Sequence, residues 1–84
     1  MGGVSTQADT NAVITTSGPD KPGVSAAFFR VLAAHNATLV DVEQAIFSGR
    51  ITLAAHTLIP GARAEQIAQG LRNTLSIYGQ QVSV

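Results

Sequence analysis

The chain lacks cysteine and tryptophan and is poor in charge and aromatic rings. Without cysteine there are no disulfides, no thiolate chemistry and no zinc knuckle, which is compatible with the reducing cytoplasm where the chain is expected to reside. Charged residues make up 12%, five basic against five acidic, where ordinary soluble domains carry roughly a quarter. Nucleic-acid binding needs clustered Lys and Arg to displace counterions from phosphates, and no such cluster exists, so a nucleic-acid partner is excluded. No apolar run approaches the ~20 residues of a membrane span, so no membrane partner is expected. The shortage of charge points instead to surface covered by another chain or a second copy of this one.

The same scarcity limits the chemistry. His35 and His56 stand apart with no cysteine beside them, so metal-ligand spacing is absent and no metal site is expected. Two isolated histidines do not make a Ser-His-Asp set, and there is no Walker-type loop. The chain reads as non-catalytic, with no catalytic residue and no cofactor of its own.

What is present is enough for one small domain. At 84 residues, such a chain buries only about 60% of its unfolded surface. Met1 to Asn11 are small and polar and read as a disordered leader, leaving 12–84 as the ordered domain. A β-branched run from Ala12 to Ser17 predicts a first strand, stopped by Gly18-Pro19. Val24, Phe28, Val31, Leu32 and His35 then share one helical stripe, with Asn36 suited to a left-handed C-cap. Thr38 to Phe47 alternates, with Val40, Val42, Gln44 and Ile46 on one side and Asp41, Glu43 and Ala45 on the other, as in a half-covered strand. Ser48-Gly49 predicts a hairpin turn into a third strand, Arg50 to Ile59, ended by Pro60-Gly61. A second helix is predicted over about 63–78, with the stripe Ala64, Ile67, Leu71, Leu75 and Tyr78 and Gly79 as its cap. Val82 and Val84 suggest a last strand.

The order β-α-β-β-α-β with short connections predicts an α+β, ferredoxin-like fold: a four-stranded antiparallel sheet with two helices on one face. Strands one and three would be central, strands two and four edges, and the second face bare, an arrangement that invites pairing with another chain. RNA-binding sheets of this topology stack bases on aromatics in their central strands, and here those strands have none. A copper carrier would need paired cysteines.

The most informative stretch is Ser17-Gly18-Pro19-Asp20-Lys21-Pro22-Gly23-Val24, a stiff strand-to-helix turn. Pro22 suits a first helical position, Gly23 allows close approach, and the amides of a first helical turn favour a carboxylate. Asp20 either caps the helix or presents its carboxylate to a ligand. With the element order, this stretch resembles the ACT domain family, whose signature is Asp or Asn, any residue, Pro and Gly before a helix. Val42-Glu43-Gln44 and Arg50-Ile51-Thr52-Leu53 make the chain most similar to the N-terminal ACT domain of actinobacterial phosphoserine phosphatases. Formyltetrahydrofolate deformylases, with a similar turn, are the alternative parent.

The resemblance implies a homodimer that binds an amino-acid effector, L-serine first, near the dimer contact and so controls a separate catalytic domain in serine biosynthesis. A dimerisation module without ligand is a further alternative. The implied ligand residues are Asp20 for the ammonium group, the Gly23 and Val24 amides for the carboxylate with Pro22 in the same turn, and Thr38, Leu39 and Asp41 closing the site. Thr38 departs from the Asn of some serine-binding relatives and offers one donor fewer. The parent phosphatase would use magnesium and an Asp-x-Asp motif, and this sequence contains no such motif.

Overall fold

The computed structural model describes residues 9–61 and 63–84. Its elements are β1 (Asp9–Pro19), α1 (Val24–Ala34), β2 (Thr38–Phe47), β3 (Arg50–Pro60), α2 (Ala64–Leu75) and β4 (Gln81–Ser83), with one turn of 3-10 helix at Ser76–Tyr78. The strands form one antiparallel sheet in the order β2-β3-β1-β4. This is the ferredoxin-like α+β arrangement, with β1 and β3 central. β1 begins at Asp9, so Asp9, Thr10 and Asn11 belong to the strand rather than to the expected leader; the rest of that leader, residues 1–8, lies outside the described residues.

Period-two burial in β1 and β3 builds the floor of the core. Ala12, Ile14 and Thr16 face one side with Ile51, Leu53, Ala55, Thr57 and Ile59, and all are buried. Val24, Ala27, Phe28 and Leu32 of α1 and Ile67, Ala68, Leu71 and Leu75 of α2 close over them. Each fully buried Leu, Ile or Phe contributes about 1.5–3 kcal/mol of transfer free energy. Phe28 meets Phe29 edge to face, ring centroids 5.1 Å apart. The two buried threonines are satisfied: the Thr57 hydroxyl donates to the Ala12 carbonyl at 3.0 Å, and the Thr16 hydroxyl to Gln80 Oε1 at 3.0 Å.

β2 departs from its expected burial. All ten of its residues are exposed, including Val40, Val42, Gln44 and Ile46. The helices sit mainly over β1 and β3, and the edge strand is touched on the helix side by Ser25 of α1, whose hydroxyl donates to Gln44 Oε1 at 3.2 Å. A bulge between Leu39 and Asp41 shifts its register against β3. Beyond the bulge, Val42, Gln44 and Ile46 stand opposite Ala55, Leu53 and Ile51 and so share the helix side, while Asp41, Glu43 and Ala45 stand opposite His56, Ala54 and Thr52 on the bare side. The helix side of β2 is therefore a mostly apolar shelf with little cover.

Candidate functional site

The strand-to-helix turn is gripped from two directions. Pro19 and Asp20 share one peptide unit, and both of its polar groups are bonded. The Asp20 amide donates to the Gly49 carbonyl of the β2–β3 turn at 2.9 Å, and Gln80 Nε2 donates to the Pro19 carbonyl at 2.9 Å. Gln80 is buried although its segment precedes β4, and it lies flat against the backbone of Gly18. A Cβ on Gly18 would sit 2.7 Å from both Gln80 Nε2 and the Gly79 carbonyl oxygen. The turn is thus held between the β2–β3 hairpin and the C-terminal segment.

Helix α1 starts at Val24, where its apolar stripe begins. Its N-cap is Gly23 at φ 93°, ψ −9°, a left-handed conformation that other residues reach only with strain. Pro22, expected to suit the first helical position, lies one residue before the cap. No side chain caps the helix. The capping role considered for Asp20 is absent, and its exposed carboxylate accepts no hydrogen bond within the described residues. The Val24 amide, expected to face a ligand, donates to the Lys21 carbonyl at 3.3 Å. Among the described residues, no backbone carbonyl accepts from the Gly23, Ser25 or Ala26 amides. The end of the turn therefore offers unspent donors beside one uncommitted carboxylate.

Thr38, Leu39 and Asp41 lie elsewhere. Asp41 pairs with His56, and His56 with Val13, six residues down β1 from Pro19. At ~3.3 Å per residue this is about 20 Å from the turn. One chain does not bring the two halves of the expected site together. Asp41 Oδ1 instead accepts from the Val42 amide at 3.0 Å. It helps line an open depression of about 280 Å³ on the bare sheet face with Val13, Val42, Glu43, Ala54 and His56. His56 Nε2 donates to Asn11 Oδ1 at 2.9 Å across the depression's rim. Among the described residues no three His, Asp or Glu side chains gather as a metal set, and no helix is long and apolar enough to cross a membrane.

Two residues at the turn are invisible to periodicity. The α2 stripe assigns Tyr78 to the core, against which it packs, but gives no sign that its hydroxyl also reaches to 3.0 Å from where a Cβ on Gly23 would stand. Gln80 carries no pattern at all. The only trace of either in the sequence is the run of glycines, since Gly18, Gly23 and Gly79 all lie where this C-terminal segment touches the turn.

A βαββαβ sheet with two helices on one face and a Pro-Gly turn opening the first helix defines a small ferredoxin-like α+β domain. The chain belongs to the ACT domain family, whose model matches residues 10–84. A phosphoserine phosphatase of Mycobacterium tuberculosis is 48% identical over 46 residues, 55% of this chain and 11% of that protein. A UPF0237 protein of Methanopyrus kandleri is 35% identical over 75 residues, covering 89% of this chain and 81% of that one. The chain thus spans a small part of the phosphatase and most of the archaeal protein. The fold is shared with an ACT domain protein from Streptococcus pneumoniae (TM-score 0.76, 18% identity, 90% of this chain and 86% of that one). A formyltetrahydrofolate deformylase from Pseudomonas putida also shares it (TM-score 0.79, 14% identity, 88% of this chain and 28% of that one).

Proposed function

We propose that this chain is an amino-acid-sensing module that acts as a two-fold dimer, with L-serine as its first ligand and a phosphoserine phosphatase as the enzyme it controls. The observation that carries this reading is the pairing, at one turn, of unspent Gly23, Ser25 and Ala26 amides with the free Asp20 carboxylate. A zwitterionic amino acid presents the two complementary charges: its carboxylate takes the amides and its ammonium group takes Asp20. Pro22 and Val24 then shape the turn, Val24 through its buried side chain. The phosphatase stretch that is 48% identical supports serine as the first amino acid to try.

Dimerisation supplies the other half of the site. β2 is a ten-residue edge with exposed Leu39, Val40, Val42 and Ile46. Antiparallel pairing of β2 with a second copy, centred on Gln44, keeps the helices of both copies on one side. It sets Val42 against Ile46 twice and leaves no two acidic residues facing each other. In that register Asp41 of the second copy stands beside Phe47 of the first, and Leu39 beside Gly49, whose carbonyl holds the Asp20 amide. Thr38, Leu39 and Asp41 thereby arrive at the turn from across the two-fold axis.

The archaeal relative favours a second reading. Because the match spans 81% of that protein, a module working without an attached catalytic domain fits the same turn and edge.

Thermal unfolding in the presence of each of the twenty amino acids tests the sensing role. A ligand at ~100 times its dissociation constant adds about 2.7 kcal/mol. L-serine is expected to raise the midpoint of the wild-type chain, and Asp20→Ala to abolish the rise while the chain stays folded. If no amino acid moves the midpoint, the sensing role is wrong.

A further inference from the structure

We propose that Gln80 is the positioning residue of the ligand turn, working by replacing the missing strand partner of β1 at its last peptide. β4 pairs with β1 only at Thr15, Thr16 and Ser17. Beyond Ser17 the β4 side of β1 has no strand, yet the Pro19 carbonyl there is bonded, because the Gln80 carboxamide extends the ladder with its Nε2. Its other end is fixed in turn: Oε1 accepts the hydroxyl of the buried Thr16 at 3.0 Å. The Pro19 carbonyl only accepts, so it takes the NH₂ group, and the Thr16 hydroxyl, donating to Oε1, holds the other end of the carboxamide in place.

The consequence falls on Asp20. The peptide held by Gln80 on one side and Gly49 on the other immediately precedes the Asp20 Cα, so its orientation sets where the carboxylate points relative to the Ser25 and Ala26 amides. A Cβ at Gly18 would strike both the Gln80 Nε2 and the Gly79 carbonyl oxygen, so the backbone and side chain of this segment together require the glycine. The flanking residues Tyr78 and Gly79 touch Gly23 and Pro19. One short C-terminal segment therefore grips the turn at Gly18, Pro19 and Gly23, and motion of that segment is transmitted to the ligand amides through Gln80. This coupling rests on the sensing role proposed above for its functional meaning, while the positioning itself can be measured without any ligand.

The test combines amide hydrogen exchange with L-serine titration on the whole chain. Gln80→Met keeps the length of the side chain and removes both hydrogen bonds. The Asp20 amide is expected to exchange about tenfold faster, while the Ile14 and Leu53 amides keep their rates relative to one another and to wild type. The dissociation constant for L-serine is expected to rise about tenfold. Equal acceleration of every amide would show a merely structural role and overturn the proposal, as would an unchanged Asp20 rate. Should Gln80→Met not fold, Thr16→Val decides by the same readout: it frees the carboxamide to rotate, so Asp20 exchange must again rise selectively, and Thr16→Ser must restore it. If wild type binds no amino acid, the sensing role fails, and the exchange rates alone still decide the positioning role.

Discussion

The Tyr78 hydroxyl lies 3.0 Å from the point where Gly23 would carry a Cβ. Two separate demands therefore meet at Gly23: a left-handed backbone, φ 93°, and space for the tyrosine. Gly23→Ala is expected to cost about 1–2 kcal/mol from the backbone and more from the contact. Denaturant unfolding of Gly23→Ala alone and with Tyr78→Phe separates the two. The double variant should recover only the steric part, and full recovery would mean that the backbone bears no strain.

Gly18 presents the opposite balance, because its backbone is extended strand and only space is at issue. A Cβ would meet the flexible Gln80 tip and the rigid Gly79 carbonyl at 2.7 Å each. Gly18→Ala should destabilise by about 1–3 kcal/mol through forced displacement of β4. Adding Gln80→Ala should not rescue it, since the backbone contact remains; a rescued unfolding midpoint would show that the side chain alone enforces the glycine.

The apolar shelf of β2 gives a prediction about assembly. Ile46 is 55% exposed and lies outside the buried core, yet it would face Val42 of a second copy. Ile46→Lys should leave the folded spectrum intact and shift the sedimentation coefficient from dimer to monomer, since two ammonium groups would be set into an apolar contact. An unchanged dimer would place the interface elsewhere. In a monomeric variant L-serine binding should weaken as well, because Thr38, Leu39 and Asp41 would no longer reach the turn.

How far the fold was legible is clearest at β2. From Asp41 onward its alternation named the two faces correctly, because side-chain direction follows from the strand period, while the bulge at Val40 breaks that period and leaves no local sign of itself. Alternation does not report what lies above a face. Val42 and Ile46 look like core from their neighbours in sequence, and their cover would have to come from outside the chain. The helices, by contrast, were legible to within a residue or two, since Phe28, Leu32, Ile67, Leu71 and Leu75 bury the stripe that their spacing announces. Asn36 and Gly79 end their elements at φ 59° and 71°, as their residue types suggest. At the turn, the glycines and prolines marked the place but not the partners. Gln80 acts over 61 residues of sequence on Pro19, and no local pattern records a contact of that range.

Gly70 shows how a glycine inside a helix can be there for its neighbour and still be dispensable. It sits in α2, where Gly is less favourable than Ala by about 0.8–1 kcal/mol. A Cβ there would come 3.1 Å from His35 Nε2 and 3.5 Å from Val31 Cγ1 of the facing segment. The valine contact is ordinary packing. The histidine contact is tight, but it involves the tip of a half-buried ring that makes no hydrogen bond among the described residues, so the ring can swing by the few tenths of an ångström required. Gly70→Ala is therefore expected to stabilise the chain by up to about 0.5 kcal/mol, the propensity gain less the cost of moving His35. In a His35→Ala background the same substitution should deliver the full ~1 kcal/mol. A loss of stability in the first case that persists in the second would mean that the Gly70 backbone itself, rather than the histidine, sets the spacing of the two helices.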